Sequence, residues 1–92
     1  MLKDKWFYLS RLKRAKNRLN VFKALDKPMM PSEIMVKVFG KSSHTNFTFV
    51  SRALAELQKE GLVELKNPQE KTGRIYELTV LGRKIQKEVK GL

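Results

Sequence analysis

Between Ser43 and Gly61 the chain carries Thr45, Asn46, Thr48, Ser51, Arg52 and Lys59, whose hydroxyl, amide, guanidinium and ammonium groups can donate or accept hydrogen bonds. At 100° per residue, Thr45, Thr48, Arg52, Ala55 and Lys59 share one side of a helix, flanked by Ser51, Phe49 and Glu56. Small polar groups and cations of this kind meet base edges and phosphates, so the face suits nucleic-acid recognition. Arg52 has the fork geometry for guanine O6 and N7, or for a phosphate. Asn46 suits an adenine edge, and either Asn46 or Thr45 can instead N-cap the helix. Phe49 lies off the apolar stripe and either touches a thymine methyl or packs under the preceding connector. Taken alone, the stretch reads more readily as an ordinary amphipathic surface helix, since such helices are common.

Other chemistry finds little material. His44 is the sole histidine, there is no cysteine, and no paired carboxylates lie close by, so neither a metal site nor a thiolate nucleophile is expected. There is no phosphate-cradling glycine loop, nucleophile elbow or H-E-x-x-H run. The expectation is a binding protein without cofactor, not an enzyme.

Charge points to the partner. Twenty Lys and Arg against nine Asp and Glu give +11, which favours a polyanion. Residues 1–27 hold nine bases and two acids, residues 28–61 four and three, and residues 62–92 seven and four. The polar helix thus lies in a nearly neutral segment, with cations on both sides to hold phosphates while a few side chains read bases. Arg11, Lys13, Arg14, Lys16, Arg18 and Lys23 make the first helical run either a solvated face or a phosphate-contacting flank. No window approaches the ~20 apolar residues of a membrane span, and the N-terminal apolar run is too short for a signal peptide. A cysteine-free chain of this type is expected in the cytoplasm.

Several elements must hold these residues in place. Leu12, Ala15, Leu19, Phe22 and Leu25 recur at steps of three and four, predicting a helix from Tyr8 to about Leu25. Asp26-Lys27-Pro28 ends it, Met29 and Met30 form a short extended piece, and Pro31 opens a second helix that Gly40 stops. A polar connector over 41–45 leads into the helix, which buries Phe47, Val50, Leu54 and Leu57 with Ala53 beside them and ends at Gly61. The connector is longer than that of the tightest helix-turn-helix motifs. Beyond Gly61 the period changes: residues 62–66 and 74–79 alternate as strands around N-P-Q-E-K-T-G, an antiparallel hairpin. Thr79 then caps a last helix striped by Leu81, Ile85 and Val89, with Leu92 beyond. The fold class expected is α+β, mainly α, in one domain over residues 1–92.

On the segments 16–25 (K-N-R-L-N-V-F-K-A-L), 31–34 (P-S-E-I), 50–63 (V-S-R-A-L-A-E-L-Q-K-E-G-L-V) and 73–85 (G-R-I-Y-E-L-T-V-L-G-R-K-I), the chain resembles winged helix-turn-helix regulators of the MarR-like and ArsR-like kind, particularly small archaeal ones. The resemblance implies a three-helix core with a β-hairpin wing over 16–79, an N-terminal basic and aromatic extension over 1–15, and a C-terminal helix over 80–92. It implies that 46–60 is a recognition helix entering the major groove of double-stranded DNA. Thr48, Ser51 and Arg52 match contacting positions, and Lys66, Lys71 and Arg74 belong to a basic wing over 66–74.

Together these observations predict sequence-specific DNA binding by a homodimeric transcription regulator. The two-fold interface expected is Trp6 to Leu12, including Phe7, with the stripe Leu81, Ile85 and Val89. Trp6, Phe7 and Leu9 are many apolar groups for a terminus, and dock on a second chain or on the C-terminal helix. The competing readings are a winged-helix module for protein or RNA, and non-specific, chromatin-like coating of DNA.

Overall fold

Three left-handed or proline-marked points divide this chain before any long-range packing is considered. In the computed structural model, which describes residues 4–89, Pro31 opens a helix, Gly40 (φ 78°) ends it, and Gly61 (φ 80°) ends the next. The elements in order are α1 (Lys5–Arg14), α2 (Lys16–Ala24), α3 (Pro31–Phe39), α4 (His44–Lys59), β1 (Val63–Leu65), β2 (Tyr76–Leu78) and α5 (Val80–Val89). The fold is α+β and mainly helical, with one antiparallel two-stranded sheet.

The single helix expected from Tyr8 to Leu25 is two. Ala15 is extended (φ −127°, ψ 99°) and serves as C-cap of α1 and N-cap of α2. No proline or glycine marks the break. The bend is a tertiary demand: α1 turns Tyr8, Leu9 and Leu12 inward and packs on α5, whereas α2 turns Val21, Phe22 and Ala24 toward α4 and α3. A straight rod could not bury both sets.

The core gathers Leu12, Val21, Phe22, Leu25, Ile34, Val50, Leu54, Leu57, Leu62, Val63 and Val89, all essentially sealed from water. Each such side chain contributes about 1.5–3 kcal/mol of transfer free energy. β1 and β2 pair Val63 with Leu78, Glu64 with Glu77 and Leu65 with Tyr76. On its other edge, Tyr76 exchanges two 2.9 Å backbone hydrogen bonds with Met29, so the extended piece between α2 and α3 borders the hairpin. The facing Glu64 and Glu77 carboxylates share the Lys66 ammonium, at 3.2 and 3.5 Å.

Thr79 caps α5 as expected: its hydroxyl accepts the Gly82 amide at 3.0 Å and donates to the Gly61 carbonyl at 2.7 Å. Gly82 then crosses the Leu62 carbonyl so closely that a Cβ would lie 2.0 Å from its oxygen. One turn on, the buried Gln86 amide donates to the carbonyls of Phe22 (2.9 Å) and Leu25 (3.1 Å), satisfying the C-terminus of α2. The stripe on α5 is therefore an internal surface. Leu92, which extends it in the sequence, lies outside the described residues.

Candidate nucleic-acid interface

α4 is sixteen residues long, and four of them, Val50, Ala53, Leu54 and Leu57, are buried against α2, α3 and β1. Its N-cap is Ser43, whose hydroxyl accepts the Asn46 amide at 3.0 Å. This corrects the expectation that Thr45 or Asn46 caps the helix. Ser43 captures the first turn, so the connector shortens to residues 40–43.

The earlier start fixes where each candidate points. His44, Thr45, Thr48, Arg52, Ala55 and Lys59 are exposed. The Thr48 hydroxyl donates to the His44 carbonyl at 3.0 Å and keeps its capacity to accept. Arg52 and Lys59 have no hydrogen-bond or ion-pair partner among the described residues. Ser51 is half-buried at the edge of the face. Asn46 is corrected: it is half-buried, and its amide reaches back to the Lys41 carbonyl at 3.4 Å, so it ties down the connector and leaves the outward face. Phe49 tilts onto Phe39 (centroids 6.1 Å apart, 37°) beside the start of the connector, as one of its two expected roles required. Phe47, expected in the core, is 45% exposed, because the first turn of α4 projects beyond the buried layer.

Ion pairing has drawn the acids away from this face. Eight of the nine carboxylates bind a cation or a backbone amide, and Glu70 is the exception. On α4, Glu56 holds Arg18, and at its C-cap Glu60 accepts from Arg11 at 2.7 Å and lies 3.8 Å from Arg18. Arg11 and Arg18 therefore brace α1 and α2 against α4, a role outside both expectations for that run, a solvated face or a phosphate-contacting flank. Lys13, Arg14, Lys16 and Lys23 on the same helices remain exposed, with no ion-pair partner among the described residues. The Arg18 Nε is buried without a partner. Asp26, at the end of α2, is held below the usual carboxylate range by the hydrogen bond from Lys37.

The hairpin loop stands beside the first turns of α3 and α4. Asn67 clamps it: its amide donates to the Gly73 carbonyl at 3.0 Å and its oxygen accepts the Ile75 amide at 2.8 Å. Asn67 opens the turn-forming run N-P-Q-E-K-T-G expected between the strands, and its two hydrogen bonds across the loop are what the sequence did not reveal. Lys66 is corrected as a free cation. Its ammonium is engaged by Glu64 and Glu77, and chiefly the Glu64 hydrogen bond raises its pKa. Arg74 is exposed and donates through Nε to the Glu70 carbonyl at 3.1 Å, which orients it. Lys71 is exposed in the loop, with no partner among the described residues.

Of the residues expected at a two-fold interface, Ile85 and Val89 are 3% and 0% exposed inside the chain's own core, so neither is available to a second copy. Leu81 packs half-buried against that core. Tyr8, Leu9 and Leu12 are likewise internal, and α1 docks on α5. Trp6 and Phe7 are the exceptions, at 66% and 38% exposed, with the Lys5 ammonium over the Trp6 ring and Phe7 set edge-on to Tyr8.

Among the described residues no helix is long and apolar enough to cross a membrane, and no cluster of three metal-ligating side chains occurs. Compared with family models, curated proteins and solved structures, the chain finds no match in any of the three.

Proposed function

We propose that this chain is a winged helix-turn-helix protein that binds double-stranded DNA sequence-specifically as a cytoplasmic transcription regulator, and is not an enzyme. In this reading α3 and α4 form the helix-turn-helix, the β1–β2 hairpin is the wing, and α4 enters the major groove. Thr45, Thr48 and Arg52 meet base edges and nearby phosphates, while Lys59 and Lys71 hold the backbone on either side.

The observation that carries the proposal is the outward face of α4. It presents hydroxyls and unpaired cations, and the nearby carboxylates of Glu56 on α4 and Glu60 at its C-cap are paired with Arg18 and Arg11. A helix that meets phosphates must not present free carboxylates to them, and here the acids serve instead to attach α1 and α2. The excess of +11 supplies the attraction, and most of it lies outside α4.

Two copies are proposed to sit on adjacent half-sites. Of the residues expected at the two-fold interface, Trp6 is the most exposed and is proposed to take part in their pairing, since Ile85 and Val89 are consumed internally. The test is selection from random duplex DNA at about 150 mM salt, followed by sequencing of what is retained. Enrichment of an inverted repeat is expected. An enriched single site contradicts the pairing, and retention without any motif, lost steeply as salt rises, contradicts sequence reading and leaves non-specific coating.

A further inference from the structure

The first turn of α4 carries a group that the polar reading of its face does not use. The Phe47 ring opens onto a groove between α4 and the hairpin loop, walled by Met30, Pro31 and Ser32 on one side and by Lys71 to Arg74 on the other. It is the least buried phenylalanine of the described residues. The nearby Thr45 and Thr48 are also exposed, so a large apolar surface sits within a polar surround.

We infer that Phe47 is a specificity-determining residue that receives the C5-methyl group of one thymine. The inference rests on the DNA reading proposed above. A helix that enters a major groove brings the side chains of its first turns closest to the base edges. The one apolar group displayed on those edges is the thymine methyl, and aromatic rings are among its partners. The groove is also charged for such an occupant: Lys71 and Arg74 stand on its loop wall, where the phosphates flanking a base held against Phe47 would lie. The Asn67 clamp sets the shape of the hairpin loop, and the Met29–Tyr76 backbone hydrogen bonds hold the hairpin beside the segment that leads into α3. Phe47 thus reads thymine against cytosine at one position of the site, through burial of a methyl rather than through a hydrogen bond.

The experiment uses the full chain and the duplex recovered by selection. Each thymine is replaced in turn by deoxyuridine, which removes only the methyl, and the dissociation constant is measured for the wild type and for Phe47→Ala. Burial of one methyl corresponds to about a fourfold change in affinity. One replaced position is expected to weaken the wild type by about that factor and to leave Phe47→Ala unchanged. Phe47→Gln, a helix-compatible polar replacement at a half-exposed site, is expected to behave like Phe47→Ala. Thermal unfolding near that of the wild type confirms that both variants are folded. A wild type indifferent to every methyl, a selected site without thymine, or a methyl dependence that survives in both variants overturns the role of Phe47 and leaves DNA binding intact. Failure to retain any duplex overturns the DNA reading itself, and with it this inference.

Discussion

Replacing Gly82 by alanine pits two effects of opposite sign against each other. Alanine favours a helix interior over glycine by about 1 kcal/mol, so at a solvent-facing position the substitution would stabilise α5. At Gly82 the new Cβ would lie 2.0 Å from the Leu62 carbonyl oxygen and 3.3 Å from the Leu78 Cβ. Ordinary contact begins at 3.4 Å, so α5 must retreat by roughly 1.4 Å from a backbone atom that has no rotamer to change. That retreat draws Ile85 and Val89 out of the core and stretches both hydrogen bonds from Gln86. Overpacking of this kind costs about 1–3 kcal/mol, and the two weakened hydrogen bonds about 1 kcal/mol each. Set against the propensity gain, the net loss is ~2–4 kcal/mol. Urea titration followed by far-UV circular dichroism measures it directly, and the melting temperature should fall by roughly 10–30 °C. A Gly82→Ala protein as stable as the wild type, or more stable, would refute the close crossing of α5 over Leu62.

Two further outcomes follow from single side chains. Gln86→Leu keeps the volume but removes the donors to the Phe22 and Leu25 carbonyls, and should cost ~1–3 kcal/mol in the same titration. Lys71→Ala should weaken binding to all duplexes alike and lower the slope of log affinity against log salt by about one, measured by fluorescence anisotropy across a salt series.

Much of the local structure was legible because punctuation residues act locally. Pro31, Gly40, Gly61 and Thr79 each mark a boundary through backbone geometry or a single cap, and all four stand where their chemistry predicts. The alternation in 62–66 and 74–79 likewise specified a hairpin, although only three residues on each side pair as strand. What escaped were properties set by distant parts of the chain. Arg11 and Glu60 are forty-nine positions apart, so nothing near Arg11 reveals that its charge is spoken for. The stripe Leu81, Ile85, Val89 correctly signals burial, but periodicity cannot say whether the cover is a second copy or the chain's own α1 and α2. Ala15 breaks a helix that local propensity would continue, because α1 and α2 bury their faces against different partners. At the candidate interface, Arg52, Thr48 and Lys71 are exposed as their positions on α4 and the hairpin suggested. Asn46 left the face because Ser43, two residues before the expected cap, took the first turn.

The central claim is that the outward face of α4 reads base pairs, and Arg52 is its exposed, unpaired guanidinium. The most direct measurement is the affinity of wild type and Arg52→Ala for the selected duplex and for a scrambled duplex of the same composition, at one salt concentration. The account predicts that Arg52→Ala loses ~1–3 kcal/mol on the selected duplex and markedly less on the scrambled one, so that discrimination between them narrows. Equal losses on both duplexes, or none on either, would contradict base reading by α4.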